Sequence, residues 1–315
     1  MFFTTRLVSF SIKTLAWSCL LFIGIGFTSC STDGGDQTET GGSEEAVSPA
    51  RIVSLNGTLT ELLFYLGYGD QIVGVDVTST YPAEGLDSIA RLGHISQLNT
   101  EALLALEPDL IVVDQENAEK PSLAQLRSAG IQVVGVPMEE ELDNALVVAE
   151  VLDSAFAFAP EQMEKLSSQL DHDMEQLAST LEAAKQAENH RIPKVLFIYA
   201  RGTGRLLVAG SATGAAKMIE LSGGKNAITA FEQFETLTPE ALIAASPDVI
   251  LMFESGLASL DGKEGLGQIP GMSTTPAYQA DRIITMDGHY LLGFGPRAAQ
   301  AANELAKQLY PPQTR

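Results

Sequence analysis

The tract EALLALEPDLIVV at residues 101–113 comes back as EALIAASPDVILM at residues 240–252. In each copy a short amphipathic stretch leads through Pro-Asp into an unbroken apolar run. Apolar runs without polar alternation suit strands covered on both faces of a parallel sheet. The segments before each copy also correspond. RIVSL (51–55) and KVLFIY (194–199) read as opening strands. A helix follows in each half and ends at Gly67 in the first and at Gly223-Gly224 in the second, where glycine suits the left-handed position after a helix. The expectation is two α/β lobes of similar plan, residues 51–158 and 191–315, each around a parallel sheet.

Residues 159–190 lie between the lobes. Pro160 suits a first helical turn. Met163, Leu166, Leu170, Met174, Leu177 and Leu181 then recur at spacings of three and four. That is one apolar stripe on a long helix with a charged opposite face, and it predicts a rigid spacer bridging the lobes.

A length of 315 residues with 45% hydrophobic and 19% charged positions is enough for two sizeable cores. The formal charge of −21 argues against nucleic acid as a partner, because binding there rests on neutralising phosphates. Both cysteines, Cys19 and Cys30, fall in the first thirty residues. The folded part therefore has no disulfide and no thiolate site.

Residues 1–29 read as an export signal. Arg6 and Lys13 form a basic start, and Leu15 to Phe27 is an apolar run shorter than the ~20 residues needed to span a bilayer. It ends in FTSC (27–30), which resembles a bacterial lipoprotein box with Cys30 as the acylated residue. Phe27 and Ser29 depart from the usual residues of that box. Residues 30–50 are then a lipidated cysteine and a Gly-, Ser- and acid-rich tether, which has too little to bury to fold. The expected location is extracytoplasmic, in the periplasm or at the cell surface, anchored as a lipoprotein.

Residues 51–82, RIVSLNGTLTELLFYLGYGDQIVGVDVTSTYP, resemble the opening of the cobalamin, siderophore and haem binding proteins of ABC importers. The resemblance extends to about residue 312. It implies two Rossmann-like α/β lobes bridged by one long helix, with the ligand in the cleft between them. DVTSTYP (76–82) and LLGFGPR (291–297) are similar to cleft loops of the haem subfamily. The ligand implied is haem, carried as transported cargo and held by Tyr81 as axial ligand of its iron. Ferric iron is a hard cation and phenolate a recognised haem ligand. Read without the motif, Tyr81 is simply a surface or packing tyrosine. The partners implied are an ABC permease dimer with its ATPase subunits. Acidic side chains, one per lobe, meet permease arginines in such proteins; the resemblance places them at Glu119, in QENAEK, and Glu254, in LMFESG.

Other cleft candidates come with less pattern behind them. Arg201 and Arg205 sit in ARGTGR after the strand that opens the second lobe, where loops line ligand crevices. An arginine fork suits propionates, and facing Tyr81 is the alternative for one of the pair. Asn56 and Gly57 follow the first strand and are expected to shape the cleft floor. His94 and His289 are candidates to reach it, whereas His172 and His190 read as solvated. Gly293 and Gly295 flank Phe294, a candidate to pack on a porphyrin face or in the core. In FEQFETL (231–237) this chain has Phe234-Glu235 where many relatives carry Tyr-Arg, so a basic contact is missing there. No nucleophile elbow, Walker loop, HExxH or dinucleotide fingerprint occurs, so the chain is not expected to be an enzyme. A ferric siderophore or cobalamin is the rival ligand on the same fold. An exported two-lobed α/β enzyme is a more distant reading.

Overall fold

The computed structural model describes residues 49–188 and 190–311. The export signal, Cys30 and the tether to residue 48 lie outside the described residues. The first lobe holds strands β1 (Ile52–Ser54), β2 (Ile72–Val75), β3 (Ala90–Arg91), β4 (Leu110–Asp114) and β5 (Gln132–Val136), with helices α1 (Gly57–Tyr65), α2 (Thr100–Leu104), α3 (Pro121–Ser128) and α4 (Asn144–Phe156). Its sheet runs β3-β2-β1-β4-β5 and every pairing is parallel. Successive strand residues feed opposite layers: Ile52, Leu110 and Val112 enter one core, and Val53, Ile111 and Val113 the other. Helices on both faces therefore explain why the strands carry no polar alternation.

After α5 (Pro160–Lys185), the second lobe holds β6 (Lys194–Ala200), β7 (Leu206–Ala209), β8 (Lys225–Asn226), β9 (Phe234–Thr236), β10 (Val249–Phe253) and β11 (Ile283–Met286). Its helices are α6 (Gly214–Leu221), α7 (Pro239–Ala245), α8 (Glu254–Ala258), α9 (Gly262–Gly267), α10 (Pro276–Gln279), α11 (Gly288–Leu292) and α12 (Ala298–Leu309). The sheet order is β11-β10-β6-β7-β9, with β8 also on β6. Here the expectation of a parallel sheet needs correction. β6 pairs β7 antiparallel, and β7 pairs β9 antiparallel. The reason lies in ARGTGR: five residues join β6 to β7, with Gly202 at φ 68°, and a link that short can only reverse the chain.

The repeated Pro-Asp has one job in both lobes. Asp109 Oδ2 accepts from the Arg51 amide at 2.9 Å, and Asp248 Oδ2 accepts from the Lys194 amide at 2.8 Å. Each carboxylate ties the repeated strand to the start of the lobe's opening strand.

Helix α5 divides its apolar stripe. Leu166 and Leu170 are buried in the first lobe's core, with Met163 and Met174 against it. Leu177 enters the second lobe's core, with Leu181 beside it. At the changeover the buried Asp173 accepts from Gln169 at 2.9 Å and from Gln300 of α12 at 2.8 Å. A single helix thus bridges the two lobes.

Candidate functional site

At the end of β1 the Asn56 side chain caps α1, accepting from the Thr58 amide at 2.8 Å and the Leu59 amide at 3.4 Å. Gly57 must be glycine: an added Cβ would lie 2.5 Å from the Thr78 carbonyl oxygen and 3.0 Å from the His289 ring. Its amide donates to Thr78 Oγ1 at 2.9 Å, and that hydroxyl donates to the Asp76 carboxylate at 2.8 Å. Ser79 Oγ donates to Asp76 at 3.0 Å and meets Thr60 Oγ1 at 2.7 Å. Arg91 holds the Ser79 carbonyl at 2.6 Å. The loop that carries Tyr81 is therefore fixed by buried polar groups up to two residues before it. The Tyr81–Pro82 peptide is cis.

Tyr81 itself is 43% exposed. Across its ring lies the guanidinium of Arg297, whose carbon is 3.6 Å from the ring centroid and 4.9 Å from that of Tyr290. The Arg297 fork is engaged by Glu61 of α1, with Nε to Oε1 at 2.7 Å and Nη2 to Oε2 at 2.9 Å. Glu61 Oε2 is also 2.9 Å from His289 Nε2. Burial pushes the Glu61 carboxyl up, but the hydrogen bonds and charge of Arg297, with His289 adding to them, hold it below the usual carboxylate range. For Arg297, burial disfavours the charge, and the Glu61 contact outweighs it and raises the guanidinium pKa further. Burial, followed by the charge of Glu304, pushes the Tyr290 phenol up to about 12.

These contacts join the lobes. Thr58 Oγ1 of α1 donates to the Gly293 carbonyl, and Asn144 Nδ2 of α4 donates to the Phe294 carbonyl at 2.9 Å. Two cavities of about 420 Å³ each lie on either side, sharing Asn56, Thr58, Leu292 and Gly293 in their walls. One adds His289, Thr80, Phe253 and Asp287. The other is acidic, with Asp114, Glu116, Glu139 and Glu140. A larger cavity of about 950 Å³ lies elsewhere, between the end of α5 and residues such as Arg282 and Tyr310. None of the expected ligand-contacting residues lines it, so its size does not make it the ligand cleft.

Residues 52–290 match the family described as Periplasmic binding protein. The chain belongs to the periplasmic binding protein family. Among solved structures, the periplasmic heme-binding protein RhuT from Roseiflexus sp. RS-1 is 40% identical, with a TM-score of 0.75, over 82% of this chain and 97% of that one. Among curated relatives, an uncharacterized ABC transporter substrate-binding lipoprotein, YvrC of Bacillus subtilis, is 26% identical over 84% of this chain and 81% of its own length. The vitamin B12-binding protein of Pectobacterium atrosepticum is 25% identical over 83% and 88%. Family members are solute-binding proteins, and membership of this set makes the present chain a substrate-binding protein of the ABC-transport type.

Within this periplasmic binding protein the expected residues are sorted by the fold. Asn56, Gly57, His289 and Gly293 line the interlobe cavities, and Thr80 lines one of them next to Tyr81 in sequence. Gly295 packs against α1, where a Cβ would lie 3.3 Å from Thr58 Cγ2. Phe294 takes φ 49° and packs into the second lobe's core at 4% exposure, while also lining the acidic interlobe cavity. His94 is exposed and spends Nδ1 on the Ser96 amide at 3.1 Å, capping a short turn. It lines neither interlobe cavity. Arg201 and Arg205 are exposed on the β6–β7 turn, and Arg201 lies 5.6 Å from the Tyr199 ring. Neither has an acidic partner within ion-pair distance among the described residues. The cation on Tyr81 is Arg297, not one of these. Glu119 is exposed and 3.4 Å from Arg127; Glu254 is exposed as the first residue of α8.

Sequence reasoning missed Glu61, Arg297, Thr58 and Asn144. Two of these left a signal. Glu61 is a carboxylate inside TLTELLFYL, whose neighbours are apolar or small, and Arg297 closes the LLGFGPR loop. Nothing in the local sequence marks Thr58 or Asn144.

Proposed function

We propose that this chain is the haem-binding component of an ABC importer and that Tyr81 ligates the haem iron. One observation carries the reading. The hydroxyls of Tyr65, Tyr68, Tyr278 and Tyr310 each donate to a backbone carbonyl, whereas those of Tyr81 and Tyr199 have no hydrogen-bond partner among the described residues, and of these two it is Tyr81 that follows Thr80 of the interlobe cavity wall. Its ring is meanwhile fixed by Arg297 at the rim of the cleft. A held ring with a free oxygen is what a metal-ligating phenol requires. Iron supplies the positive charge that favours the phenolate. Arg201 and Arg205 are exposed cations suited to propionates, each contact contributing about 0–1 kcal/mol at such exposure. RhuT, a heme-binding protein by its title, supports the same ligand class.

Hemin added to the purified protein should give the charge-transfer band of phenolate-ligated ferric haem. Tyr81→Phe removes only the oxygen, so this variant should lose the band while keeping its fold. A spectrum identical to wild type would mean another group holds the iron. The vitamin B12-binding relative supports a second reading, in which the cleft takes a corrinoid. Titration with cyanocobalamin separates the two, because a haem carrier should leave it unbound.

The FTSC box (27–30) motivates a membrane anchor at Cys30. Cys30→Ser should move the exported protein to the soluble fraction. Retention in the membrane to the wild-type extent would end that proposal.

A further inference from the structure

Glu61 is among the most enclosed ionisable groups described, at 5% exposure, and α1 surrounds it with Leu59, Leu62 and Leu63, all at 0%. It is not in contact with the open cleft. Both of its oxygens are taken by the other lobe: Oε1 by Arg297 Nε, and Oε2 by Arg297 Nη2 and His289 Nε2. The carboxylate and the guanidinium meet through two contacts, at 2.7 and 2.9 Å, and such two-point pairing fixes an arginine's direction more firmly than a single contact. Because Glu61 engages Nε and Nη2, that edge of the guanidinium is taken and its face is held over the Tyr81 ring.

We propose that Glu61 is a positioning residue: it pins Arg297 on the Tyr81 ring and, through that contact and His289, clasps the two lobes together at the cleft. The proposal rests on the haem reading only for the part played by Tyr81. The clasp stands or falls without any ligand. It assigns Arg297 to orientation of the tyrosine and leaves anionic ligand groups to Arg201 and Arg205.

The test uses the full chain with Cys19→Ser and Cys30→Ser, so that no native cysteine remains. Nitroxide labels at Ser128→Cys in α3 and Ala258→Cys in α8, both exposed, report the distance between lobes by double electron–electron resonance without ligand. Glu61→Gln and Arg297→Lys should each broaden the narrow wild-type distribution, and the double variant should add nothing beyond either single one. Should Glu61→Gln fail to fold, Arg297→Lys carries the same comparison, since that side chain is 23% exposed. An unchanged distribution in the folded variants overturns the clasp.

Hemin binding then tests the route to Tyr81. Glu61→Gln should weaken hemin on the order of tenfold, the scale of coupling between contacting residues, with a shifted charge-transfer band. In a Tyr81→Phe background the same change should cost nothing further. A loss that persists without the Tyr81 oxygen means that Glu61 acts by general destabilisation, and the positioning role is overturned. If the wild-type protein takes up no hemin, the haem reading falls, and the distance measurement alone decides the clasp.

Discussion

At Glu61 the local sequence and the tertiary structure pull in opposite directions. The surrounding leucines are there to be buried, and a carboxylate among them pays a desolvation penalty unless it is paired. Arg297 and His289 supply the pairing, so the group stays ionised below the usual carboxylate range. The consequence for stability follows in sign. A carboxyl whose pKa is lower folded than unfolded stabilises the fold above its ordinary value of 4.5, and that contribution is lost as pH falls below it toward the folded pKa. Urea melts between about pH 3 and 6 should therefore show wild type losing its advantage over Glu61→Gln as acid is added. A difference that does not change with pH would mean that folding leaves the carboxyl's pKa unshifted, and an advantage that grows as acid is added would mean that the carboxyl is neutral in the fold. Gly57 illustrates the other residue-scale constraint, close approach: the Thr78 carbonyl and the His289 ring occupy the space of any Cβ.

Among the elements, α5 shows how one stripe serves two cores. Its apolar residues are evenly spaced in sequence, yet Leu170 at 1% exposure belongs to the first lobe and Leu177 at 4% to the second. Leu170→Ala and Leu177→Ala should each destabilise by about 2–5 kcal/mol, the usual cost of truncating a buried leucine. Denaturant melts check this, and a cost near zero at either position would show that the helix is not shared. The repeated Pro-Asp elements work as staples in the same places of each lobe. The residue before each proline, Glu107 at φ 45° and Ser246 at φ 41°, turns the chain left-handed between helix and strand.

For the whole molecule, a formal charge of −21 favours solubility and steers the protein toward basic partners. Glu119 and Glu254 follow β4 and β10, the strands of the internal repeat, and both are exposed, one on each lobe. We propose them as contacts to the permease. Reversing both, Glu119→Lys with Glu254→Lys, should lower uptake in a reconstituted transporter while hemin affinity of the isolated protein stays at its wild-type value. Uptake unchanged by the double reversal would take these residues out of the interface.

The repeat, the glycine-terminated helices, the bridging helix and the Tyr81 loop were all legible in the amino-acid sequence, because each depends on residues a few positions apart. Gly67 at φ 86° and Gly223 at φ 81° end their helices where periodicity said they should. The mixed character of the second sheet was missed, although the short ARGTGR link that forces it was in view. What only the tertiary structure decided is which charges meet in the cleft. Glu61 and Arg297 are 236 residues apart, Asn144 and Phe294 are 150 apart, and no local pattern registers such pairs. The loop sequence that drew attention to Tyr81 could not say whether Arg201 or Arg297 would lie on its ring. That choice belongs to the packing of one lobe against the other, which sets the neighbours of a side chain only after both cores have formed.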